Sequence, residues 1–453
     1  MPNQTKKPYL KPLLTRQLAG LTGKFAPFAV SRYKDKIDNV EVKELQARFG
    51  SPLFVYSHRT LKKKYDSAYQ AFSTRYPKVQ FAWSYKTNYL QAVCKAFHDL
   101  GSWAEVVSEF EYELARSLGV PGDRIVYNGP YKSRPSLLRA ASEGAMINID
   151  GFDEIPELES IAAELGRPVE FGIRVNMTIT GYAAWDRFGL NLDSGEAFHA
   201  VKRALAGNKL SLIGLHAHLG TFILEPQFYR EAVLKMVEQA KVLKKEFGIR
   251  LHYINVGGGF ASKSKLKGSY LPTNQLAPDF DKYAEAICSP ILDGFDQKEL
   301  PLLMLETGRA LVDEAGYLIA TVVATKKSPS GIRSLVLNAG VNLLFTSFWY
   351  DFEILPTSDK GMFSEIHNIY GPLCMQIDVV GENLRLPYLE KGDNVVIHPV
   401  GAYNNTQWMQ FIQLRPRVVM INEKGEVEVI REPETLDYLT KLDKVPPWLR
   451  QTD

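Results

Sequence analysis

Phe81-Ala82-Trp83-Ser84-Tyr85-Lys86-Thr87-Asn88 is the stretch on which the fold turns. Its first four residues, aromatic and small, read as a short strand, and a lysine and two polar residues follow directly after the strand's end. The same texture returns at Trp103 to Val107, Arg124 to Tyr127, Ala145 to Ile149, Glu170 to Val175, Leu212 to His216, Leu251 to Val256 and Leu302 to Leu305, with amphipathic segments between. Eight such runs separated by helices close a (β/α)8 TIM-type barrel, and the first four recur at about 20-residue intervals, enough for a compact βα unit. In such a barrel the polar residues that follow each strand sit at the end where active sites are built.

Outward from the barrel the texture changes. After about Thr321 come short β-type runs broken by turns, at Ile332 to Asn338, Met375 to Val380, Asn394 to His398 and Arg417 to Ile421. The run Leu53 to Tyr56 has the same character, so the expected C-terminal β domain also takes a strand from the N-terminal region. The expected division is an N-terminal extension over 1–39, an N-terminal part of the β domain over 40–57, the barrel over 58–320 and the C-terminal β domain over 321–453. The extension is mixed basic, contains proline and is weakly periodic.

Composition restricts the function class. A chain of 453 residues exceeds what one hydrophobic core usually serves. Hydrophobic residues at 45% and charged residues at 23% are globular values, and no apolar run of about eighteen residues offers a membrane span. A net charge of +3, with only short runs such as Lys62 to Lys64, gives no nucleic-acid footprint. Small-molecule chemistry is the expectation. Cys94, Cys288 and Cys374 are too scattered for a disulfide framework or a metal knuckle, and no secretory h-region opens the chain, so a cytoplasmic setting is expected.

Each polar cluster after a strand has a bland reading beside a chemical one. Lys86 is either a solvated surface lysine or an amine held near neutral by desolvation, as an aldehyde-binding amine must be. His216 and His218, two residues apart, read as a metal pair or as core and ring-stacking histidines. Gly257-Gly258-Gly259 is a tight turn or an anion cradle of backbone amides. Glu306-Thr307-Gly308-Arg309 is an ion pair at the barrel rim or an acid and a guanidinium set for chemistry. Gly371-Pro372-Leu373-Cys374 and Gly401-Ala402-Tyr403 bring a thiol and a phenol beside turns, where a structural role is the ordinary one. Taken together they supply an amine, an imidazole, an anion cradle, an acid and a thiol. That is close to what pyridoxal phosphate requires of a protein.

These motifs, in this order, resemble the pyridoxal-phosphate-dependent decarboxylases with an alanine racemase-type barrel, and most closely the diaminopimelate decarboxylase branch. The likeness spans about Val40 to Ile430. It rests on the lysine motif Phe81 to Asn88, on His216-Ala-His218-Leu-Gly-Thr221, the triple glycine, Glu306 to Arg309, Gly371 to Cys374 and Gly401 to Tyr403. The resemblance implies that Lys86 forms the imine with the cofactor and that Glu306 keeps the ring nitrogen protonated. It also implies that His218 stacks on the ring and that Glu105, Thr221, Gly257, Gly258, Gly259, Gly308, Arg309 and Tyr403 help to hold the cofactor. Glu105 stands where the family commonly has Asp, and Ser108 and Glu111 match its Ser-x-x-Glu pattern. Cys374 is the implied proton donor, supplied by the partner subunit of a homodimer; no metal is implied.

The substrate end departs from the pattern. The branch usually follows the thiol with Glu and carries Arg-Pro-x-Leu-Tyr; here Met375 follows Cys374, and the corresponding segment is Phe345-Thr-Ser-Phe-Trp-Tyr350. Arg309, Tyr350 and Met375 are the expected substrate neighbours. Loss of a guanidinium and a carboxylate would cost a zwitterionic head roughly 2 to 5 kcal/mol once desolvated. The expected substrate is therefore altered from meso-diaminopimelate, toward a larger or conjugated amino acid of the kind found in siderophore or antibiotic assembly. Phe348, Trp349, Trp408 and Met409 read as walls of such a pocket or as core aromatics of the β domain. The alternatives are a true meso-diaminopimelate decarboxylase making L-lysine, an amino-acid racemase, or a catalytically silent regulatory homologue. Racemases of this barrel usually place Arg at the ring nitrogen, where this chain has Glu306.

Overall fold

The computed structural model describes residues 32–183, 185–269, 277–327, 329, 331–361 and 363–450. The greater part of the expected N-terminal extension, residues 1–31, lies outside the described residues. The remainder lies along the β domain: Lys34 N donates to Pro356 O at 2.8 Å, and Arg32 pairs with Glu353.

Eight parallel strands close a barrel: Val79–Ser84, Trp103–Val106, Ile125–Tyr127, Met146–Ile149, Val169–Asn176, Leu210–Ala217, Tyr253–Asn255 and Leu302–Leu305. Neighbours in the chain are neighbours in the barrel, and the last strand returns to the first, Leu305 lying opposite Phe81. Each of the eight runs read from the sequence overlaps one of these strands, and three of the strands, Val79–Ser84, Val169–Asn176 and Leu210–Ala217, extend beyond the run. Their outward residues meet a ring of helices that begins with His58–Ser73, which precedes the first strand. That helix starts where the Ser57 hydroxyl accepts the Thr60 amide, and it buries Leu61, Tyr65, Ala68 and Phe72 on one face. Each of its large apolar side chains contributes about 1.5–3 kcal/mol by leaving water.

Inside the barrel, Ala82, Val126 and Met304 form a small apolar plug. Tyr253 fills the space beside it because two neighbouring strands carry glycine. A Cβ on Gly172 would stand 1.9 Å from the Tyr253 hydroxyl, and one on Gly214 would stand 2.1 Å from its ring. That hydroxyl donates to Asn148 Oδ1 at 2.6 Å. The barrel is thus packed with side chains as far as the polar layer that forms the site.

A second sheet lies beyond the barrel, and Leu53–Ser57 runs through its middle. It pairs antiparallel with Gly316–Lys327 and parallel with Val418–Ile421, and all five of its residues are buried, as a central strand requires. After the barrel the chain re-enters this sheet at Gly316, so a continuous strand, Gly316–Lys327, crosses the point at which the sequence changes texture. Met375 to Val380 is not a strand. Residues 375–378 form a turn in which Asp378 N donates to Met375 O at 3.1 Å, and the strand runs from Val379 to Pro387. Alternating hydrophobicity at 375–380 reflects a loop with one buried end. No helix of the described residues is long and apolar enough to cross a membrane.

Candidate active site

Lys86 sits in a single 3-10 turn, Tyr85–Thr87, directly after the first barrel strand. The segment that follows the strand Asn394–His398 of the second sheet holds that turn in place. Tyr403 N donates to Thr87 O at 2.8 Å, the Thr406 hydroxyl to Lys86 O at 2.9 Å, and Asn88 Nδ2 to Gly401 O at 3.0 Å. The Lys86 ammonium donates to both oxygens of Glu105, at 2.7 and 2.5 Å. Here the structure corrects the sequence reading. Burial alone would lower the lysine's pKa, but Glu105, with help from Glu306 and Tyr403, outweighs it, and the amine is pushed above its ordinary range. Glu105 thus favours the charged form of Lys86.

Glu306, almost fully buried, follows the eighth strand. Its Oε1 accepts from Asn128 Nδ2 at 2.7 Å and from Asn255 Nδ2 at 2.6 Å, while Oε2 lies 3.4 Å from His216 Nε2. Burial works against its charge, yet His216, Lys86 and Asn128 together hold the carboxyl well below the usual range. Asn128 also donates to Glu105 Oε1 at 3.1 Å, so one amide group bridges the two acids. The two histidines part company: the strand ends at Ala217, His216 turns to Glu306, and His218 Nδ1 accepts the Gly258 amide at 3.1 Å. Burial, together with the nearby Arg174 and Lys86, keeps His218 neutral, and Trp185 stacks against it.

The triple glycine is dictated by close approach. A Cβ on Gly258 would lie 2.3 Å from Glu306 O, and one on Gly259, at φ +96°, 2.4 Å from Gly220 O. Two of its amides are already committed, Gly257 N to Asn255 Oδ1 and Gly258 N to His218 Nδ1. The cradle expected from three free amides is therefore narrower: Gly259 N alone has no acceptor among the described residues. Gly308 is equally constrained, since a Cβ there would meet the Thr87 hydroxyl at 2.1 Å. The Arg309 guanidinium lies between the rings of Tyr350 and Tyr403, 4.5 and 4.9 Å from their centroids, and its Nε has no partner.

Lys86, Glu105, Asn128, His216, His218, Glu306 and Arg309 line one cavity of about 540 Å³, whereas Gly257, Gly258, Gly259 and Gly308 stand behind its lining. Of the residues singled out in the sequence, it brings together Lys86, Glu105, His218, Thr221, Glu306, Arg309, Tyr350 and Tyr403. Cys374 and Met375 do not line it; they lie on a separate loop, where Cys374 is exposed. Trp349 is at the cavity wall, but Trp408 is not: it packs edge-on against Phe54, with Arg415 and Arg431 over its ring. Sequence reading missed Asn128, Asn255 and Arg174. Asn128 and Asn255 stand at or next to the C-terminal end of a barrel strand, the position that should have marked them, and Arg174 lies two residues before such an end.

Residues 61–313 match the family model described as "Pyridoxal-dependent decarboxylase, pyridoxal binding domain". The diaminopimelate decarboxylase of Methanocaldococcus jannaschii is 32% identical over 91% of this chain and 95% of its own length. This chain belongs to the pyridoxal-dependent decarboxylases. The diaminopimelate decarboxylase of Aquifex aeolicus is 30% identical over 89% of this chain and 94% of its own. The crystal structure of the M. jannaschii enzyme superposes with a TM-score of 0.85 at 31% identity, covering 92% of this chain and 98% of that one.

The decarboxylase cofactor is pyridoxal phosphate, and the cavity fits it. It holds a charged amine that faces the open space, a buried ionised acid and a neutral imidazole. Beside it lie an amide without an acceptor at Gly259 and the buried, unpartnered Arg309 Nε.

One neighbour carries a pH signature. Ser108 caps the helix Glu109–Ser117, and Glu111 returns the bond by accepting the Val107 amide at 2.9 Å. Burial, against the pull of Lys86, raises the Glu111 carboxyl to about 7. A raised acid keeps its proton in the folded chain after the unfolded chain has released it, so its contribution is complete below about pH 4.5 and lost by about pH 7. Glu111→Gln keeps the acceptor and removes the titration. Its melting temperature should gain on the parent as pH rises through that window; parallel curves would refute the assignment.

Proposed function

We propose that this chain decarboxylates an amino acid bearing a distal carboxylate, as a homodimer in which each copy lends Cys374 to the other's cavity. The observation that carries the reading is the Lys86, Glu105, Asn128, Glu306 network within one cavity that also holds Arg309. When bound, pyridoxal phosphate supplies the electron sink for the pair released as CO2 leaves. Lys86 Nζ is the group that attaches the cofactor, and Glu105 holds its proton beforehand. Glu306 is the ionised partner for the ring nitrogen, and Gly259, Thr221, Gly308 and Tyr403 are the residues for the phosphate. His218, kept neutral, offers a flat uncharged ring for stacking. Arg309 is fixed between two phenol rings, so its guanidinium is pre-organised for a carboxylate.

Cys374 is assigned the proton that replaces CO2. Its exposure, on a loop that does not line its own chain's cavity, supports delivery from a second copy. Exposed aromatic residues that follow successive barrel strands, Phe110 in the first turn of a helix and Tyr131 and Phe152 on loops, support a partner seated over that end.

Meso-diaminopimelate, the substrate named for the relatives, is the first candidate. A second reading rests on charge. The only acids lining the cavity among the described residues, Glu105 and Glu306, are already engaged, while Trp185, Phe222, Leu266 and Trp349 supply apolar walls. A distal carboxylate has Arg309 to meet it, since Asp313 approaches that guanidinium only to 3.7 Å; a distal ammonium has no free carboxylate among the described residues. This favours a substrate that keeps the carboxylate and lacks the free amine, such as a conjugate larger than diaminopimelate. CO2 release from meso-diaminopimelate, N-acyl-diaminopimelate and 2-aminopimelate separates the readings. On the second, the amine-free compounds should lead in kcat/KM by at least about tenfold, the equivalent of about 1.4 kcal/mol. A lead for meso-diaminopimelate discards it, and no CO2 from any amino acid discards the decarboxylase assignment for this chain's cavity.

A further inference from the structure

Asp378 lies outside the cavity, and the chemistry above does not use it, yet it is among the most constrained acids of the chain. It is buried, and its two oxygens go to amides on different segments. Oδ1 accepts from Val341 N at 2.8 Å and Oδ2 from Leu373 N at 2.7 Å. Its backbone closes the same loop from the other side, accepting Gly371 N and donating to Met375 O, each at 3.1 Å. The segment from Gly371 to Asp378, with Cys374 near its tip, is therefore a loop whose two ends meet at one carboxylate.

The contacts leave no tolerance. A Cβ on Gly340 would stand 2.2 Å from Asp378 Oδ1; one on Gly371 would stand 2.3 Å from Oδ1 and 2.3 Å from Gly340 Cα. Two segments that carry glycine at the crossing approach each other with the acid between them. The Val341 side leads into the chain's own cavity. Gly340 O accepts the amides of Leu343 and Leu344, and the turn Phe345–Phe348 follows, bringing Thr346, Trp349 and Tyr350 to the wall and Tyr350 onto Arg309.

We infer that Asp378 is a positioning residue that sets the Cys374 thiol and ties it to the wall of its own chain's cavity. One buried carboxylate then joins the thiol offered to one site to the Arg309 and Tyr350 wall of the other. A carboxylate suits this position because it accepts from both amides at once. An asparagine in its place keeps one acceptor and turns an NH2 group toward the other N–H.

The inference rests on the assignment of Cys374, so the test separates the two. Asp378→Asn and Cys374→Ala, singly and together, are compared as cofactor-loaded full-length protein with meso-diaminopimelate and 2-aminopimelate as substrates. The readouts are kcat, KM, the configuration of deuterium incorporated from 2H2O, and the rate of alkylation by iodoacetamide. Cys94 and Cys288 are buried, so alkylation reports Cys374.

Asp378→Asn should retain the visible absorbance of the cofactor. It should lower kcat about tenfold to a hundredfold with a smaller change in KM, scramble the label and change the alkylation rate. In the double variant, loss of the thiol should leave the asparagine little further to remove. If Cys374→Ala alone leaves kcat and label unchanged, the thiol assignment falls and this inference with it. If Cys374→Ala is slow while Asp378→Asn keeps parental kcat, label and alkylation rate, only the positioning role is overturned. Should Asp378→Asn fail to fold, Leu373→Pro, which deletes one donated N–H, replaces it in the same comparison, with the same outcomes deciding.

Discussion

Lys86→Ala should lose turnover and visible cofactor absorbance together, while Lys86→Arg should lose both and remain as stable as the parent. Lys86 is the only lysine that lines the cavity among the described residues, so no second amine stands ready to replace it. Its removal also strands Glu105, which keeps only the Asn128 contact that it shares with Glu306. Leaving a buried carboxylate without its cation costs about 3 kcal/mol, toward the low end of such losses because Nζ faces the open cavity. Arginine restores the charge for Glu105 but offers no nitrogen that bonds an aldehyde carbon at neutral pH. The alanine variant should therefore melt lower than the arginine variant, although neither is active. Borohydride reduction followed by peptide mass analysis gives a readout independent of turnover. The cofactor's mass should be found on the peptide containing Lys86 in the parent and on no peptide of either variant. Turnover by Lys86→Ala would end the assignment.

The barrel was legible because each strand is a short apolar run with its polar residues gathered at one end, a pattern that survives without any tertiary information. The second sheet was harder to read. Gly316–Lys327 passes from buried to exposed along its length, and the loop at 375–378 mimics a strand because Asp378 is drawn inward by two amides that no local pattern reveals. The same limit applies at the site. Lys86 and Glu306 stand out by motif, whereas Asn128 and Asn255 are single amides whose meaning comes only from the acid between them. The charge state of Lys86 depends on Glu105, which is 19 positions away in the chain but in contact across the adjacent strand. Burial read from sequence predicts a neutral amine; the partner reverses the sign.

That reversal gives the second large effect, at Glu306→Gln, two changes of opposite direction being expected from one substitution. Glutamine can keep Oε1 for both Asn128 and Asn255, so the cavity retains its shape; what disappears is the negative charge. Glu306 is one of the groups that push the Lys86 amine upward. Without it a larger fraction of Lys86 is unprotonated at a given pH below its pKa, so attachment of added pyridoxal phosphate to cofactor-free protein should be faster than in the parent. Decarboxylation should move the other way. On the role proposed for Glu306, the bound cofactor's ring nitrogen would lose the acid that keeps it protonated, and kcat should fall about 10² to 10³-fold, the scale of one lost electrostatic contact to the reacting charge. Stopped-flow absorbance measures the first change and CO2 release the second. A substitution that merely loosened the cavity would slow both; parental kcat with unchanged attachment would show that Glu306 has no electrostatic part in the reaction.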